Sequence, residues 1–237
     1  MNQPVSGAFR IASYNIRKAL GIDRQRRPER TLRVVAQLNA DVVVLQEADL
    51  RLGQRPSALP VGEIEPMTGL VPIADLGNPG SLGWHGNAIL ARPEIKVQGV
   101  SQLDLPGIEP RGAVISDLDL PGGPLRVVGV HLGLIRASRR RQLTALLETL
   151  AGLDSRPTVI AGDFNEWSLT VGLGRMARHF TIHAPGKSFH SRSPVAALDR
   201  IALDDRLVFC AAGVATDPLS RMASDHLPIW MDIEQRA

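Results

Sequence analysis

The chain has a single cysteine, Cys210, among its 237 residues. One cysteine excludes an internal disulfide and a metal site built from cysteines, and the apolar residues around it predict a buried, unreactive thiol. No apolar stretch approaches the roughly 20 residues of a membrane-spanning helix. Residues 1–8 also lack a basic region followed by an apolar segment. We therefore expect no transmembrane segment, no secretory signal and a cytoplasmic location.

The chain also lacks a strong charge of either sign. Its 27 basic and 24 acidic residues leave a formal charge of +3, which is too small for a protein that coats nucleic acid. A weak basic bias suits an anionic substrate such as a phosphoester, although many proteins without an acidic partner share it. Hydrophobic residues make up 44% of the sequence, as is ordinary for a globular protein with a core. We expect one α/β domain over residues 1–237.

Short apolar runs rich in valine and isoleucine predict a chain dominated by β-strands. One helix is expected to start at Pro28, a second to run from Ser138 as its N-cap to Gly152, and a short third to cover residues 169–177. Residues 51–83 are rich in proline and glycine and predict turns, with a short strand near 70–73. Residues 121–124 predict a four-residue hairpin turn. The other expected strands cover residues 9–16, 41–46, 87–91, 95–100, 112–120, 125–132, 158–163, 198–203, 208–216 and 227–233.

The predicted strand over residues 158–163 runs into the motif Gly-Asp-Phe-Asn, residues 162–165. This stretch is the strongest single functional signal in the sequence. The two-residue period of a strand directs Asp163 and Asn165 to the same side. A carboxylate can hold a metal or orient a water, and a carboxamide can donate hydrogen bonds to an anionic oxygen. A strand ending in Gly-Asp is common, so this motif alone is equally consistent with a structural role.

Polar residues fall beside the apolar runs at several other predicted strand ends. Any one of them has a structural explanation, such as a hydrogen-bonded core histidine. Burying many charges is costly unless they are paired, and a shared site would remove that cost. Carboxylates and amides without cysteine favour a hard cation such as Mg²⁺ or Mn²⁺. The set comprises Asn15, Glu47, Arg111, His131, Asp163, Asn165, Asp199, Asp225 and His226.

The order of the motifs that carry these residues resembles the endonuclease/exonuclease/phosphatase superfamily. The resemblance covers almost the whole chain, and although each motif is weak alone, six or more in the same order are specific. It implies a four-layer α/β sandwich, in which two mostly antiparallel sheets pack face to face with helices outside and a site at one edge. The motifs are Ser13-Tyr14-Asn15-Ile16, Leu45-Gln46-Glu47, Arg111-Gly112, Val130-His131-Leu132, Gly162-Asp163-Phe164-Asn165, Leu198-Asp199-Arg200-Ile201 and Ser224-Asp225-His226-Leu227-Pro228.

The resemblance implies a divalent metal site. Glu47 corresponds to the principal ligand, with Asn15 close by. Asp225 corresponds to a further carboxylate, either at the metal or just behind its ligands. The implied cofactor is Mg²⁺ or Mn²⁺.

The resemblance also implies how the substrate is held. Asp163 would orient or deprotonate the attacking water, and Asn165 would hold a phosphoryl oxygen. His226, charged and paired with Asp199, would contact the scissile phosphate. The remaining two residues implied to bind phosphate oxygens are His131 and Arg111.

The implied activity is metal-dependent hydrolysis of a phosphodiester by in-line attack of water, with nucleic acid as the expected substrate. A phosphatase, a phospholipid or small-molecule phosphodiesterase, and an inactive binding module remain alternatives. His131 and Phe164 stand where abasic-site endonucleases usually have tyrosine and methionine, so the chain departs from that branch and is more similar to short bacterial members.

Two groups of basic residues bear on the choice of substrate. They could follow a nucleic-acid backbone, meet anionic lipid headgroups at a membrane surface, or simply form a solvated surface. The first group is Arg17, Lys18, Arg24, Arg26 and Arg27, and the second is Arg136, Arg139, Arg140 and Arg141.

Overall fold

The structure is a computed structural model that describes residues 7–51, 53–169 and 171–236. Residues 1–6, within the stretch expected to lack a secretory signal, lie outside the described residues. The described part contains twelve strands: β1 (Phe9–Asn15), β2 (Val42–Gln46), β3 (Val71–Pro72), β4 (Ala88–Ala91), β5 (Lys96–Leu105), β6 (Arg111–Leu120), β7 (Gly123–His131), β8 (Thr158–Asp163), β9 (Thr181–His183), β10 (Asp199–Leu203), β11 (Leu207–Val214) and β12 (Ile229–Gln235). Its α-helices are α1 (Pro28–Gln37), α2 (Val61–Thr68), α3 (Arg136–Ala151) and α4 (Pro218–Ala223).

The strands form two six-stranded sheets. The first has the order β11-β12-β1-β2-β4-β3, and the second has the order β5-β6-β7-β8-β10-β9. The pairs β1–β2 and β7–β8 are parallel, and the other pairs are antiparallel. The expectation of two mostly antiparallel sheets is confirmed.

Three apolar clusters define the layers of the molecule. The middle cluster joins the facing sides of the two sheets, for example Val44 of β2 with Val127 of β7. A second cluster packs α1, including Leu32, against the outer face of the first sheet. A third packs Leu143 and Leu146 of α3 against the outer face of the second sheet. Helix, sheet, sheet and helix therefore follow one another, which confirms the four-layer sandwich.

The alternation of side chains along β8 continues the inner face of the sandwich into a polar residue at one edge of the sheet. Val159 and Ala161 of β8 lie in the middle cluster, so the next residue on that face is Asp163. Gly162, just before it, lies so close to β7 that a Cβ atom there would be 1.9 Å from the carbonyl oxygen of Val130. Only glycine fits this approach, which holds the end of β8 tightly against β7.

Several local expectations were wrong. Residues 61–68, expected as turns, form α2, and the hairpin between β6 and β7 is linked by two residues rather than four. Helix α3 begins at Arg136 with Ile135 as its N-cap, so Ser138 lies within the helix. The helix expected over residues 169–177 is replaced by a 3₁₀ turn, Met176–Arg178, and Thr170 lies outside the described residues. Cys210 is partly exposed rather than buried.

Other local expectations were confirmed. Helix α1 begins at Pro28, α3 is closed by Gly152, and the short strand near residues 70–73 is β3. Within the described residues, no helix has both the length and the apolar character needed to cross a membrane.

Candidate active site

Three neighbouring strands of the second sheet bring His131, Asp163 and Asp199 side by side. In the register of β7 and β8, His131 stands next to Asp163, and in that of β8 and β10, Asp163 stands next to Asp199. The first sheet contributes Asn15 at the end of β1, whose Nδ2 donates a hydrogen bond of 3.1 Å to Asp163 Oδ2. The two sheets therefore meet at this edge through polar side chains.

Asp163 lies at the centre of this group and is almost completely buried. Its Oδ1 accepts a hydrogen bond of 2.9 Å from the backbone N–H of Asn165. Burial raises the pKa of Asp163 to about 6, with the nearby charges of His226 opposing the shift and of Asp199 adding to it. The carboxylate is thus ionised at neutral pH, close to the point where it can exchange a proton.

His226 is held between two carboxylates. Its Nδ1 lies 2.8 Å from Asp199 Oδ2, and its Nε2 lies 3.7 Å from Asp163 Oδ2. Burial acts to lower the pKa of His226, but the charges of Asp199 and then Asp163 outweigh it and raise the pKa to about 9. His226 therefore carries a positive charge at neutral pH.

His131 is shifted in the opposite direction. Its Nε2 lies 3.4 Å from Asp163 Oδ2, yet burial, reinforced by the charges of Arg111 and His226, lowers the pKa of His131 well below its usual value. One buried carboxylate is thus flanked by a neutral and a charged imidazole. Neighbouring groups whose pKa values are driven apart are typical of acid–base sites.

Asn165 and Glu47 follow the ends of β8 and β2 with left-handed backbones, at φ angles of 50° and 53°. Such conformations are uncommon for residues other than glycine and are concentrated at functional sites. The Nδ2 of Asn165 donates to the carbonyl oxygen of Leu132 at 2.9 Å, so the amide expected to hold a phosphoryl oxygen has a backbone partner in this structure.

Glu47 faces a cavity of about 210 Å³ that His131 and Arg111 also line. Its carboxylate pairs with the ammonium group of Lys18, and Arg111 pairs with Glu109 at 2.8 Å. Burial, followed by the positive charges of Arg51 and Arg26, lowers the pKa of Lys18 to about 8. The cavity thus brings the Glu47 carboxylate, which pairs with a cationic side chain, close to His131 and Arg111, which can donate hydrogen bonds to an anion.

Asp225 lies apart from the buried group. Its Oδ2 is 3.3 Å from Arg17 Nε, and its Oδ1 lies 3.3 Å from the hydroxyl oxygen of Ser224. Ser224 donates a hydrogen bond of 2.7 Å to the backbone oxygen of Asn15. Asp225 is thereby tied through the backbone to the end of β1, beside His226 in sequence.

Two sets of residues have the chemistry to hold a cation. Ligand atoms of Asp163, Asp199 and His226 lie within 4.8 Å of one another, but a charged imidazole has no free lone pair for a metal. The set expected from the sequence, Glu47 with Asn15 and Asp225, offers only oxygen donors, as Mg²⁺ and Mn²⁺ prefer. Glu47 also pairs with the ammonium group of Lys18, so its carboxylate is placed where it can meet a cation.

Three neighbours of the site were not expected from the sequence. Lys18 was assigned only to a basic group, yet it pairs with Glu47. The ring of Phe189 lies against that of His226, with centroids 5.0 Å apart. Arg139, also taken as one of a basic group, is buried and pairs with Glu166 at 2.9 Å, so it does not contribute to an exposed basic surface. Its partner Glu166 directly follows the Gly-Asp-Phe-Asn motif, and that position is a sequence signal from which this pair could have been found.

The chain is similar in sequence to a known protein of Escherichia coli. A protein of Escherichia coli (strain K12), "Uncharacterized protein YbhP", is 34% identical over 163 residues, which make up 64% of this chain and 63% of that protein. The matched part therefore spans less than two thirds of this relative.

Many solved structures share the fold, among them the following two. A mannosyl-6-phosphatase of Bacteroides thetaiotaomicron VPI-5482, Bt3783, has a TM-score of 0.74 and 17% identity over 95% of this chain and 99% of that chain. D. rerio TDP2, complexed with a single-strand DNA product, has a TM-score of 0.74 and 16% identity over 97% of this chain and 100% of that chain. Residues 12–226 match the Endonuclease/Exonuclease/phosphatase family. The chain therefore belongs to this family, whose members are metal-dependent hydrolases of phosphoester bonds.

Proposed function

We propose that this protein is a divalent-metal-dependent phosphodiesterase that cleaves its substrate by in-line attack of water. The observation that supports the proposal is the buried Asp163 carboxylate flanked by a charged His226 and a neutral His131. A carboxylate ionised near neutral pH can orient or deprotonate a water, and an imidazolium can neutralise charge that develops on phosphoryl oxygens.

We propose that Asp163 acts on the attacking water and that His226 contacts the scissile phosphate. Asp199, which is fully buried, would keep His226 charged and fixed in orientation. Asn165 and His131 would donate hydrogen bonds to phosphoryl oxygens, for which the amide of Asn165 has to exchange its backbone partner.

Arg111 and the metal ligands complete the proposed site from the cavity side. Arg111 would bind a phosphate oxygen as an always-charged donor. Glu47 would be the principal ligand of Mg²⁺ or Mn²⁺, with Asn15 and Asp225 as its neighbours. When bound, the ion supplies charge neutralisation for the phosphoryl and leaving oxygens.

We propose nucleic acid as the first substrate class to test. The basic loop after β1 supports this choice, because Arg17 and Lys18 contact Asp225 and Glu47 at the rim of the site. Cationic side chains in this position suit a phosphate backbone. A phosphodiester in a lipid headgroup is the second candidate, and it is favoured by exposed apolar side chains on the loops beside the site.

Nicking of supercoiled plasmid is the experiment that tests this function. We expect relaxed circles with Mg²⁺ or Mn²⁺ and none with a chelator. Cleavage of an aryl phosphodiester without nicking would retain the reaction and reject nucleic acid. Cleavage of an aryl phosphomonoester alone would make the protein a phosphatase, and no hydrolysis of any of the three would overturn the proposal in favour of a binding module.

The alkaline side of the pH–rate profile tests the proposed pair of His226 and Asp199. With a pKa of about 9, His226 loses its charge as the pH rises through 9, and the rate of the wild-type enzyme falls there. Asp199→Asn removes the charge that does most to raise the pKa of His226. We therefore expect the rate of this variant to fall at a lower pH than that of the wild type. The measurement is kcat/KM for an aryl phosphodiester against pH in Mg²⁺, and an unchanged alkaline limb would reject the pairing.

Two expectations from the sequence stay predictions. One is that residues 1–237 form a single domain, and the other is that the protein acts in the cytoplasm.

A further inference from the structure

Exposed apolar side chains are concentrated on three loops at the edge of the second sheet that carries the site. Of twelve large apolar side chains that are exposed among the described residues, six lie on these loops, with exposed fractions between 47% and 77%. Exposed apolar residues are normally scattered singly, and a concentration of them marks a contact surface. We call this set the apolar rim: Ile108, Leu134, Ile135, Trp167, Leu169 and Val171. We propose that the apolar rim docks onto the surface of an anionic phospholipid membrane.

The three loops are joined by hydrogen bonds into one surface. The backbone N–H of Leu134 donates to Glu109 Oε1 at 3.1 Å, which links the first loop to the second. The guanidinium group of Arg139 donates to the carbonyl oxygens of Gly133 and Leu134, at 3.1 and 2.7 Å. The same group donates to Glu166 at 2.9 Å, which links the second loop to the third. The rim is thus held in place rather than formed from separate loose loops.

Four arginines with exposed side chains lie beside the apolar rim. They line a cavity of about 490 Å³ together with Val171 of the rim, and the described residues that line it include no acidic side chain. Each arginine near an anionic bilayer strengthens binding about fivefold. We call them the arginine cluster: Arg136, Arg140, Arg175 and Arg178.

The composition of this surface favours a bilayer over nucleic acid. Five members of the rim are aliphatic, and Trp167 is its single aromatic residue. Proteins that grip single-stranded nucleic acid do so with several aromatic side chains on which bases stack. Aliphatic side chains, a tryptophan and neighbouring arginines are instead the mixture that binds the interface of an anionic membrane.

The rim is directly connected to the proposed site. The ring of Trp167 meets that of Phe189 edge to face at 6.2 Å, and Phe189 lies against His226. Docking would therefore bring His226 towards the headgroup layer. Resting on the proposed phosphodiesterase function, this position would bring the second candidate substrate, a phosphodiester in a lipid headgroup, within reach of the site.

Vesicle flotation tests the docking surface without any turnover. We expect the wild-type protein to float with phosphatidylcholine vesicles that contain phosphatidylglycerol, to float less as salt is raised, and not to float with pure phosphatidylcholine. The double variant Leu134→Ser/Leu169→Ser should bind about tenfold more weakly, because it removes apolar area that would enter the interface. Arg136→Gln/Arg140→Gln should bind about 25-fold more weakly, at about fivefold for each charge.

Matched controls lie elsewhere on the surface. Val97 is exposed at the opposite end of β5 from the site, and Arg33 is exposed on α1. The variants Val97→Ser and Arg33→Gln should bind vesicles as tightly as the wild-type protein does. No flotation, equal binding to both kinds of vesicle, or rim variants that match the controls would overturn the proposal. Binding of a single-stranded oligonucleotide that depends on the arginine cluster, with no flotation, would overturn it in favour of nucleic acid. Aryl phosphodiester hydrolysis by the wild-type protein reports the proposed function separately.

Discussion

Asp163→Asn is expected to reduce the rate of phosphodiester hydrolysis by about a thousandfold or more, because the amide cannot accept a proton from the attacking water. The substitution keeps the size of the side chain and leaves one oxygen, which can accept the hydrogen bond from Asn15 while the bond from the backbone N–H of Asn165 is lost. It also removes a charge that burial disfavours, since the pKa of Asp163 is raised to about 6. We therefore expect a thermal midpoint within a few degrees of the wild type.

The measurement combines kcat for an aryl phosphodiester with thermal unfolding of the same samples. Asp205→Asn is the matched control, since Asp205 is exposed and should keep the wild-type rate and midpoint. A rate near that of the wild type for Asp163→Asn would remove this residue from the chemistry. A large fall in the midpoint would instead assign it a structural role.

The layers of the fold were predictable because strands of alternating or wholly apolar character have few ways to bury their side chains. Val42 to Leu45 of β2 are buried on both faces, as the unbroken apolar run predicts. Helix α2 was missed because it contains Gly62 and Pro66, which weaken a helical pattern. Its formation depends on packing Ile64 into the outer cluster of the first sheet, a long-range contact that local sequence does not encode.

The sequence pointed to three residues that strand register brings together at the edge, but not to how they act on one another. Asp163, Asp199 and His131 were identified from motifs, and strand register then placed them side by side. The opposite pKa shifts of His131 and His226 depend on burial and on carboxylate distances, which appear only in three dimensions. The pairing of Lys18 with Glu47 likewise joins two loops from different strand ends.

His226→Gln is expected to cost both activity and stability. Loss of the imidazolium removes a charged donor to the phosphoryl group, which should lower kcat by about 10²- to 10³-fold. It also leaves Asp199 buried without its charged partner, and its Oδ1 has no hydrogen-bond partner among the described residues. Removing one member of a buried ion pair typically costs about 3–5 kcal/mol, so we expect a fall of that order in the free energy of unfolding at pH 7.5.

The double variant Asp199→Asn/His226→Gln separates the two losses. Because neither side chain is then charged, it should regain most of the stability lost in His226→Gln while its kcat stays low. The measurements are denaturant unfolding in the presence of a chelator, so that metal binding does not contribute, and aryl phosphodiester hydrolysis in Mg²⁺. Stability losses that simply add would show that the two residues are not coupled. Activity that returns together with stability would show that His226 supports the fold and does not touch the phosphate.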